Sequence, residues 1–487
     1  MLRLSVIIFF LSYTEFLQAQ DMNSPVWTKD LIIYEISTKN FTSPAGPGTG
    51  TFRSIQEQIP YLRDLGINGV WLSGHNWADD RHFYGIWTQY AAIRPDSLDP
   101  SLGRPADFKD MIDEFHKNKI RVFLDVITHG VMNGSPLIYE HPGWFRGGSW
   151  GMIDYDWNGG HRDLDEWWVK TFVDYVLKYG VDGYRLDVDI FRPDLWKDIK
   201  NQCAEAGHPI VVFLENPLKN DHACDFYQRW VTLSNQTLGV DTSLLIISNA
   251  ARFFRKLPES GNALGKYYLS VQLSSHDDGW ESFPAGKNPY VAGGSRCLFG
   301  YSFLWTPAIP LFMSGEEFDA DFIPNPDLTP DLYGKDTTRN GTWLYGALLI
   351  QDQLSQKKHL DMLKDVRKMI AIRKSESDLL HAYSNDSLPD IFPVGFECDA
   401  RVPVPYAIQN NDKLIIIAGN NTRQKAAFRI NINPARAGLT ADKKYWVYDL
   451  WNGNKIIIKG NELNNFAFTV PGDKTAGGGI AIFKIIK

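Results

Sequence analysis

The sequence predicts an α/β fold: a (β/α)8 TIM barrel with a short excursion after its third strand, followed by a C-terminal antiparallel β-sandwich domain. Three observations carry this expectation. Short apolar strands alternate with amphipathic helices from Leu31 to about Lys374, acidic and basic residues stand where those strands end, and beyond Lys374 the hydrophobic period drops to two.

The alternation begins with LIIYEI, a helix from Ile55 to Leu65, GVWL, a helix from Phe108 to Lys117, and RVFLDV. It continues through a helix near Trp167 to Lys178, GYRLDV, a helix near Trp196 to Glu205, PIVVFLE, and later YLSVQLS and PLFMSG. A strand, a helix and a strand in succession call for a parallel sheet. Eight such units over some 340 residues fit a closed barrel better than an open doubly wound sheet. No Gly-rich dinucleotide fingerprint follows the first strand, and no cofactor is expected. From Thr128 to about Arg162 the chain is rich in Gly, Trp and Tyr without clear period, which reads as an excursion over the barrel mouth. A second irregular loop, Phe318 to Gly341, follows the eighth strand. The segments KLIIIAG, AFRINI, YWVYDLW and IAIFKII then alternate as antiparallel strands do. The expected boundaries are 1–19 for a signal peptide, 20–376 for the barrel with its excursion at about 130–162, and 377–487 for the β domain.

Length and composition narrow the function. At 487 residues, 44% apolar and 22% charged, the chain can bury a large core and a satellite. A net charge of -7 offers nothing to a phosphate backbone, so no nucleic-acid partner is expected. Aromatics reach 13%, with 16 Trp and 21 Tyr, and flat rings suit sugar faces as well as cores. At the N-terminus Arg3, an apolar run from Leu4 to Leu11 and small residues around Ala19 have the layout of a secretory signal peptide, which implies export to the periplasm, the medium or the cell surface. That run is too short to span a bilayer, and no other reaches about 18 residues, so stable membrane insertion is not expected. Cys203, Cys224, Cys297 and Cys398 lie far apart without CxxC spacing, which argues against zinc and leaves any disulfide unassigned. The oligomeric state stays open.

The densest chemical signal is GVDGYRLDVD, from Gly180 to Asp189. Residues two apart on a strand share a face, so Arg185 and Asp187 point inward together and the guanidinium favours an ionised carboxylate. In a barrel, polar groups at the C-terminal strand ends build the active site. Strand three ends at Asp125 and His129, strand four at Arg185 and Asp187, strand five at Glu215, and strand seven at His276 and Asp277. Several buried acids repel one another unless a cationic transition state rewards them, and glycoside hydrolysis needs such a set. Asp187 and Glu215, on neighbouring strands, are expected at the retaining separation of about 5 to 5.5 Å. Apolar neighbours Phe213 and Leu214 are expected to raise the pKa of Glu215.

In order and spacing, DVITH, GYRLDVD, the acid of FLENP, SSHD and IPLFMSGEE resemble the sequence regions of the alpha-amylase family, glycoside hydrolase family 13, with some likeness to its cyclomaltodextrinase and neopullulanase branch. The resemblance covers about Leu31 to Lys374. It implies Asp187 as nucleophile, Glu215 as general acid/base and Asp277 as transition-state stabiliser, with Arg185, His129, His276 and Tyr84 binding the sugar. Tyr84 is preferred to Trp87 as the ring that stacks on substrate. Where the family carries a calcium-binding Asn this chain has Thr128, and the loop Thr42 to Thr51 lacks acidic residues, so no metal is expected. Ile190 and Phe191 replace a Lys-His pair frequent in starch-cleaving members. Trp144, Phe145, Trp150, Tyr155 and Trp157 are placed on the excursion as sugar platforms or loop anchors; Trp451 is read as a surface residue of the β domain. The implied partner is an α-linked oligo- or polysaccharide. The implied activity is that of a retaining α-glycosidase, with a transglycosylase and a non-catalytic scaffold as alternatives.

Overall fold

The computed structural model describes residues 24–46, 48–79, 90–148, 151–215, 223–228, 268, 270–273, 296–304, 308–320, 353–380 and 390–487, together with the backbone of 231–232 and 295. Eight strands form the barrel: β1 (Ile33–Ile36), β2 (Gly69–Leu72), β3 (Arg121–Ile127), β4 (Gly183–Asp187), β5 (Val211–Leu214), β6 (Phe226–Tyr227), β7 (Ser270–Gln272) and β8 (Ile309–Met313). Every pairing is parallel, in the order β6-β5-β4-β3-β2-β1-β8-β7, with a short segment Val231–Thr232 beyond β7. A parallel bridge between Phe226 and Tyr268 joins β6 to the approach of β7 and brings the sheet round on itself. The sequence reading named no sixth strand, because two residues are too few to show a period.

The strands read as unbroken apolar runs because both faces are buried. Leu31, Ile33, Trp71, Phe123, Val211, Phe213, Phe226, Ile309 and Leu311 fill the barrel interior. Residues between them, such as Ile32, Val70, Val122, Tyr184 and Val212, pack outward into the larger core shared with the helices. Gly183 opens β4 because a Cβ there would stand 1.9 Å from the carbonyl of Val211. Two buried acids tie the strand starts. Asp182 accepts from the Val122 backbone N–H at 2.9 Å and from Arg121 Nη1 at 2.7 Å. Asp225 accepts from the Val212 N–H at 2.7 Å and from Lys200 Nζ at 2.8 Å.

The helices follow the expected pattern with one break. The span from Ile55 to Leu65 is two pieces, Phe52–Gln56 and Ile59–Leu65, with Pro60 in the first turn of the second. Proline lacks the N–H and its ring collides with the carbonyl four residues earlier, so the first helix stops at Gln56. The helices Pro105–Lys117, Arg162–Tyr179 and Pro193–Glu205 each extend the expected spans toward their N-termini.

The excursion after β3 has its own ladder, Gly130–Met132 against Met152–Asp154, with a short helix Pro136–Glu140 between. A comparable hairpin pairs Asn76–Ala78 with Ala92–Leu98 after β2. Two of the excursion's rings, Trp144 and Tyr155, are anchors. Trp144 is buried, stacks on His141 at 3.8 Å and donates from Nε1 to Asp163 Oδ2 at 2.8 Å. Buried Tyr155 packs on Phe145, Trp157 and Trp168 at 5.0 to 5.5 Å. These contacts spend the aromatic surface on the helix Arg162–Tyr179; Trp150 lies outside the described residues.

Beyond the barrel, a six-stranded antiparallel sheet (Asp390–Pro393, Tyr406–Gln409, Lys413–Gly419, Ile480–Ile486, Lys444–Asp449, Lys455–Lys459, in spatial order) faces a three-stranded one (Gly395–Cys398, Ala426–Asn431, Phe466–Val470) across a shared apolar core. The first sheet is buried on its other face too: Ile408, Ile415, Ile417 and Ile482 belong to the core shared with the barrel. Trp451, expected at the surface, is buried, and its Nε1 donates to the Gly477 carbonyl at 2.8 Å. Lys368 of the helix Lys357–Ser375 donates to its backbone carbonyl. None of the four cysteines forms a disulfide bond.

His75 is the most conspicuous buried polar group outside the barrel mouth. It packs edge-on against Tyr175 at 4.9 Å, neither ring nitrogen has a partner among the described residues, and burial pushes its pKa down to about 3. A base depressed in the folded state contributes fully above its unfolded value near 6.5, and that contribution is lost as pH falls toward 3, at about 1.4 kcal/mol per pH unit. His75→Phe should therefore raise the melting temperature at pH 5 and flatten its fall between pH 6.5 and 4, measured by scanning calorimetry.

Candidate active site

The upper end of the barrel interior is polar where the lower is apolar. Its centre is Arg185 on β4, whose side chain is 0% exposed. Nη1 lies 3.1 Å from Asp125 Oδ1 and 2.5 Å from Asp187 Oδ1, Nη2 lies 3.2 Å from Glu215 Oε2, and Nε donates to Gln228 Oε1 at 2.8 Å. The guanidinium carbon sits 5.0 Å from the Trp71 ring centroid. Asp125 also accepts from Trp71 Nε1 at 2.8 Å and from the Tyr90 hydroxyl. Burial alone would lower the pKa of Arg185, but Asp125, Tyr90, Glu215 and Asp187 hold it well above the ordinary value.

The exposures divide the roles. Asp187 and Glu215 are 15% and 13% exposed, while Asp125 is 2% exposed. The two strand-end acids reach toward solvent and Asp125 serves the layer beneath. Arg185, expected among the groups that bind the sugar, is wholly buried, and its side chain is engaged by Asp125, Asp187, Glu215 and Gln228. Three carboxyl groups on one guanidinium are more acid than a structural ion pair needs.

A strained turn follows Asp187. Val188 has φ 61° and Phe191 φ 45°, left-handed values that a β-branched or bulky residue adopts only under constraint. The constraint is Thr128, whose hydroxyl lies 2.8 Å from the Asp187 carbonyl and 2.6 Å from that of Asp189. The turn aims the Val188 N–H at Glu215 Oε2, 2.9 Å away. Glu215 is thus held by a guanidinium and a backbone donor, not by the expected apolar walls: Phe213 packs in the barrel interior and Leu214 outward. The Thr128 carbonyl is engaged as well, by Trp157 Nε1 at 3.0 Å. Among the described residues no three His, Cys, Asp or Glu side chains form a metal-ligating group.

His129 is buried with Nδ1 3.4 Å from Asp154 Oδ1, and burial lowers its pKa against the opposing pull of Asp154. Tyr84, His276 and Asp277 lie outside the described residues, as does Trp87. The sequence reading passed over Trp71, Tyr90, Val188 and Gln228. Inward alternation along GVWL marks Trp71, but the other three are recognised only by what they touch. In SGEE, Glu317 is structural: wholly buried, it accepts from Tyr34 at 2.7 Å, Tyr61 at 2.6 Å and the Gly315 N–H at 2.8 Å. Desolvation nevertheless raises its pKa.

Known proteins resemble this chain in sequence and in fold. The alpha-amylase family, described as "Alpha amylase, catalytic domain", matches residues 35–133. A maltogenic alpha-amylase of Bacillus acidopullulyticus is 24% identical over 508 residues, covering 94% of this chain and 79% of its own length. A 4-alpha-glucanotransferase of Thermotoga neapolitana is 25% identical over 347 residues, covering 62% and 75% respectively. The crystal structure of a noncanonic maltogenic alpha-amylase from Thermotoga neapolitana shares the fold with a TM-score of 0.68 at 16% identity, over 94% of this chain and 99% of that one. The family match over residues 35–133 and these relatives make the chain similar to the alpha-amylase family of glycoside hydrolases, and the solved structure shares its fold.

Thr128→Val keeps the shape and removes the hydroxyl. It should cost on the order of 1–2 kcal/mol in chemical denaturation and lower kcat, since the turn beside Asp187 loses its clamp. With the Thr128 hydroxyl and carbonyl both engaged within the protein, a chelating agent should leave the melting temperature unchanged.

Proposed function

We propose that the chain is a retaining α-glycosidase that hydrolyses α-glucosidic bonds in α-glucans or maltooligosaccharides, with Asp187 as nucleophile, Glu215 as general acid/base and Asp277 as transition-state stabiliser. The observation that carries this reading is the presentation of Asp187 and Glu215, part-exposed, from adjacent strand ends above one buried guanidinium. In the first step an Asp187 oxygen attacks the anomeric carbon as the glycosidic C–O bond breaks, and Glu215 gives its proton to the departing oxygen. In the second, Glu215 takes a proton from water, whose oxygen displaces Asp187 and restores both acids. Arg185 favours the ionised nucleophile and stabilises it again as leaving group. His129, His276 and Tyr84 are proposed to hold the sugar.

A transglycosylase uses the same residues and differs in whether a sugar hydroxyl or water resolves the intermediate. The glucanotransferase among the relatives favours keeping this second reading. The layout of residues 1–19 supports export after cleavage, leaving a barrel from about 20 to 376 and a β domain from 377 to 487. No helix among the described residues is long and apolar enough to cross a membrane.

Asp187→Asn and Glu215→Gln should each lower turnover of maltooligosaccharides by several orders of magnitude while the melting temperature stays near that of the parent; an unchanged rate in either sinks the assignment. Product analysis on maltooligosaccharides, cyclodextrins, sucrose and trehalose separates hydrolysis from transfer: longer oligosaccharides among the products mark a transferase.

A further inference from the structure

Gln228 follows β6 directly, and its backbone N–H donates to the Leu214 carbonyl at 2.6 Å. Its side chain is wholly buried. Because Arg185 Nε–H can only donate, the Gln228 oxygen must face it, and it does so at 2.8 Å. Among the described residues the Gln228 Nε2 has no partner. A Met or Leu there would fill the volume without burying an unpaired donor, so the amide is retained at a cost.

The acceptor has a geometric use. A guanidinium is a rigid planar fork, and Nη1 and Nη2 are drawn by acids on three different strand ends. An acceptor on Nε, from the end of β6 two strands along from β4, fixes the plane of the fork. A neutral oxygen does this without adding a fourth carboxyl group to the layer. We propose that Gln228 is a positioning residue for glycoside hydrolysis: its Oε1 orients Arg185 so that one nitrogen meets Asp187 while the other faces Glu215. This rests on the retaining mechanism proposed above for the same acids.

The test compares parent, Asp187→Asn, Gln228→Met and Gln228→Glu in the full chain, with kcat, KM and the pH profile of kcat/KM measured on a 4-nitrophenyl α-maltooligoside and melting temperature recorded for each. Gln228→Met should lower kcat on the order of 10- to 100-fold with KM little changed, and move the acid limb of the profile to higher pH, because a misaligned guanidinium favours the Asp187 carboxylate less. Its melting temperature should equal or exceed the parent's, as the unpaired amide is gone. Gln228→Glu keeps an acceptor on Nε and should turn over faster than Gln228→Met at its own optimum, with the acid limb also raised by the added charge. If Gln228→Met fails to fold, an acid limb in Gln228→Glu that coincides with the parent's overturns the proposal. Unchanged kcat and acid limb in folded Gln228→Met, or Gln228→Glu no faster than it, do the same. A parent without activity refutes the mechanism and the positioning role together. An active parent, an inactive Asp187→Asn and an unaffected Gln228→Met refute only the latter.

Discussion

The Arg185 guanidinium is the interaction on which the mouth of the barrel depends. It pairs with the acids of β3, β4 and the end of β5, and it does so from a position with no access to water. Removing a charge so buried would leave its partners uncompensated, the costly kind of deletion. The Trp71 ring, the Tyr90 hydroxyl and the Gln228 amide complete its surroundings, each from a different part of the chain. With that centre fixed, Asp187 and Glu215 can be part-exposed and still be held in register.

Acids at the two ends of the strands do different work, and their partners show it. Asp182 and Asp225, at strand starts, are satisfied by backbone N–H groups and by cations on the outer helices or neighbouring strand. Donors match acceptors there, and the product is a closed barrel. At the opposite end, among the described residues, three carboxyl groups crowd one guanidinium, the backbone beyond Asp187 is strained, and a glutamine amine is left unpaired. Stability alone selects none of those features; a reaction that develops positive charge at a sugar carbon rewards the first, and precise placement of Glu215 rewards the second.

Much of this was legible in the residues. The barrel strands announced themselves because burial on both faces writes continuous apolar runs, and Arg185, Asp187 and Glu215 fall at strand ends by counting. What escaped had a physical reason. Phe226–Tyr227 is too short to carry a period, and the three-residue ladder Gly130–Met132 with Met152–Asp154 is equally silent. Aromatic residues state how much surface they offer but not to whom, so Trp144, Tyr155 and Trp451 looked available and are spent on packing. The surroundings of Glu215 were misread from its sequence neighbours Phe213 and Leu214, which point to either side of the sheet while contacts from Arg185 and Val188 reach the carboxylate.

The sequence by itself determined the barrel, the β domain and the placing of acids at strand ends, because hydrophobic period and strand alternation are local properties that burial imposes on every residue of an element. Only the tertiary structure decided that Arg185 is wholly buried against three acids, that Thr128 clamps the turn after Asp187, and that Gln228 accepts from the guanidinium. Those contacts join residues 43 to 61 positions apart through the closure of the barrel, and no local pattern records them.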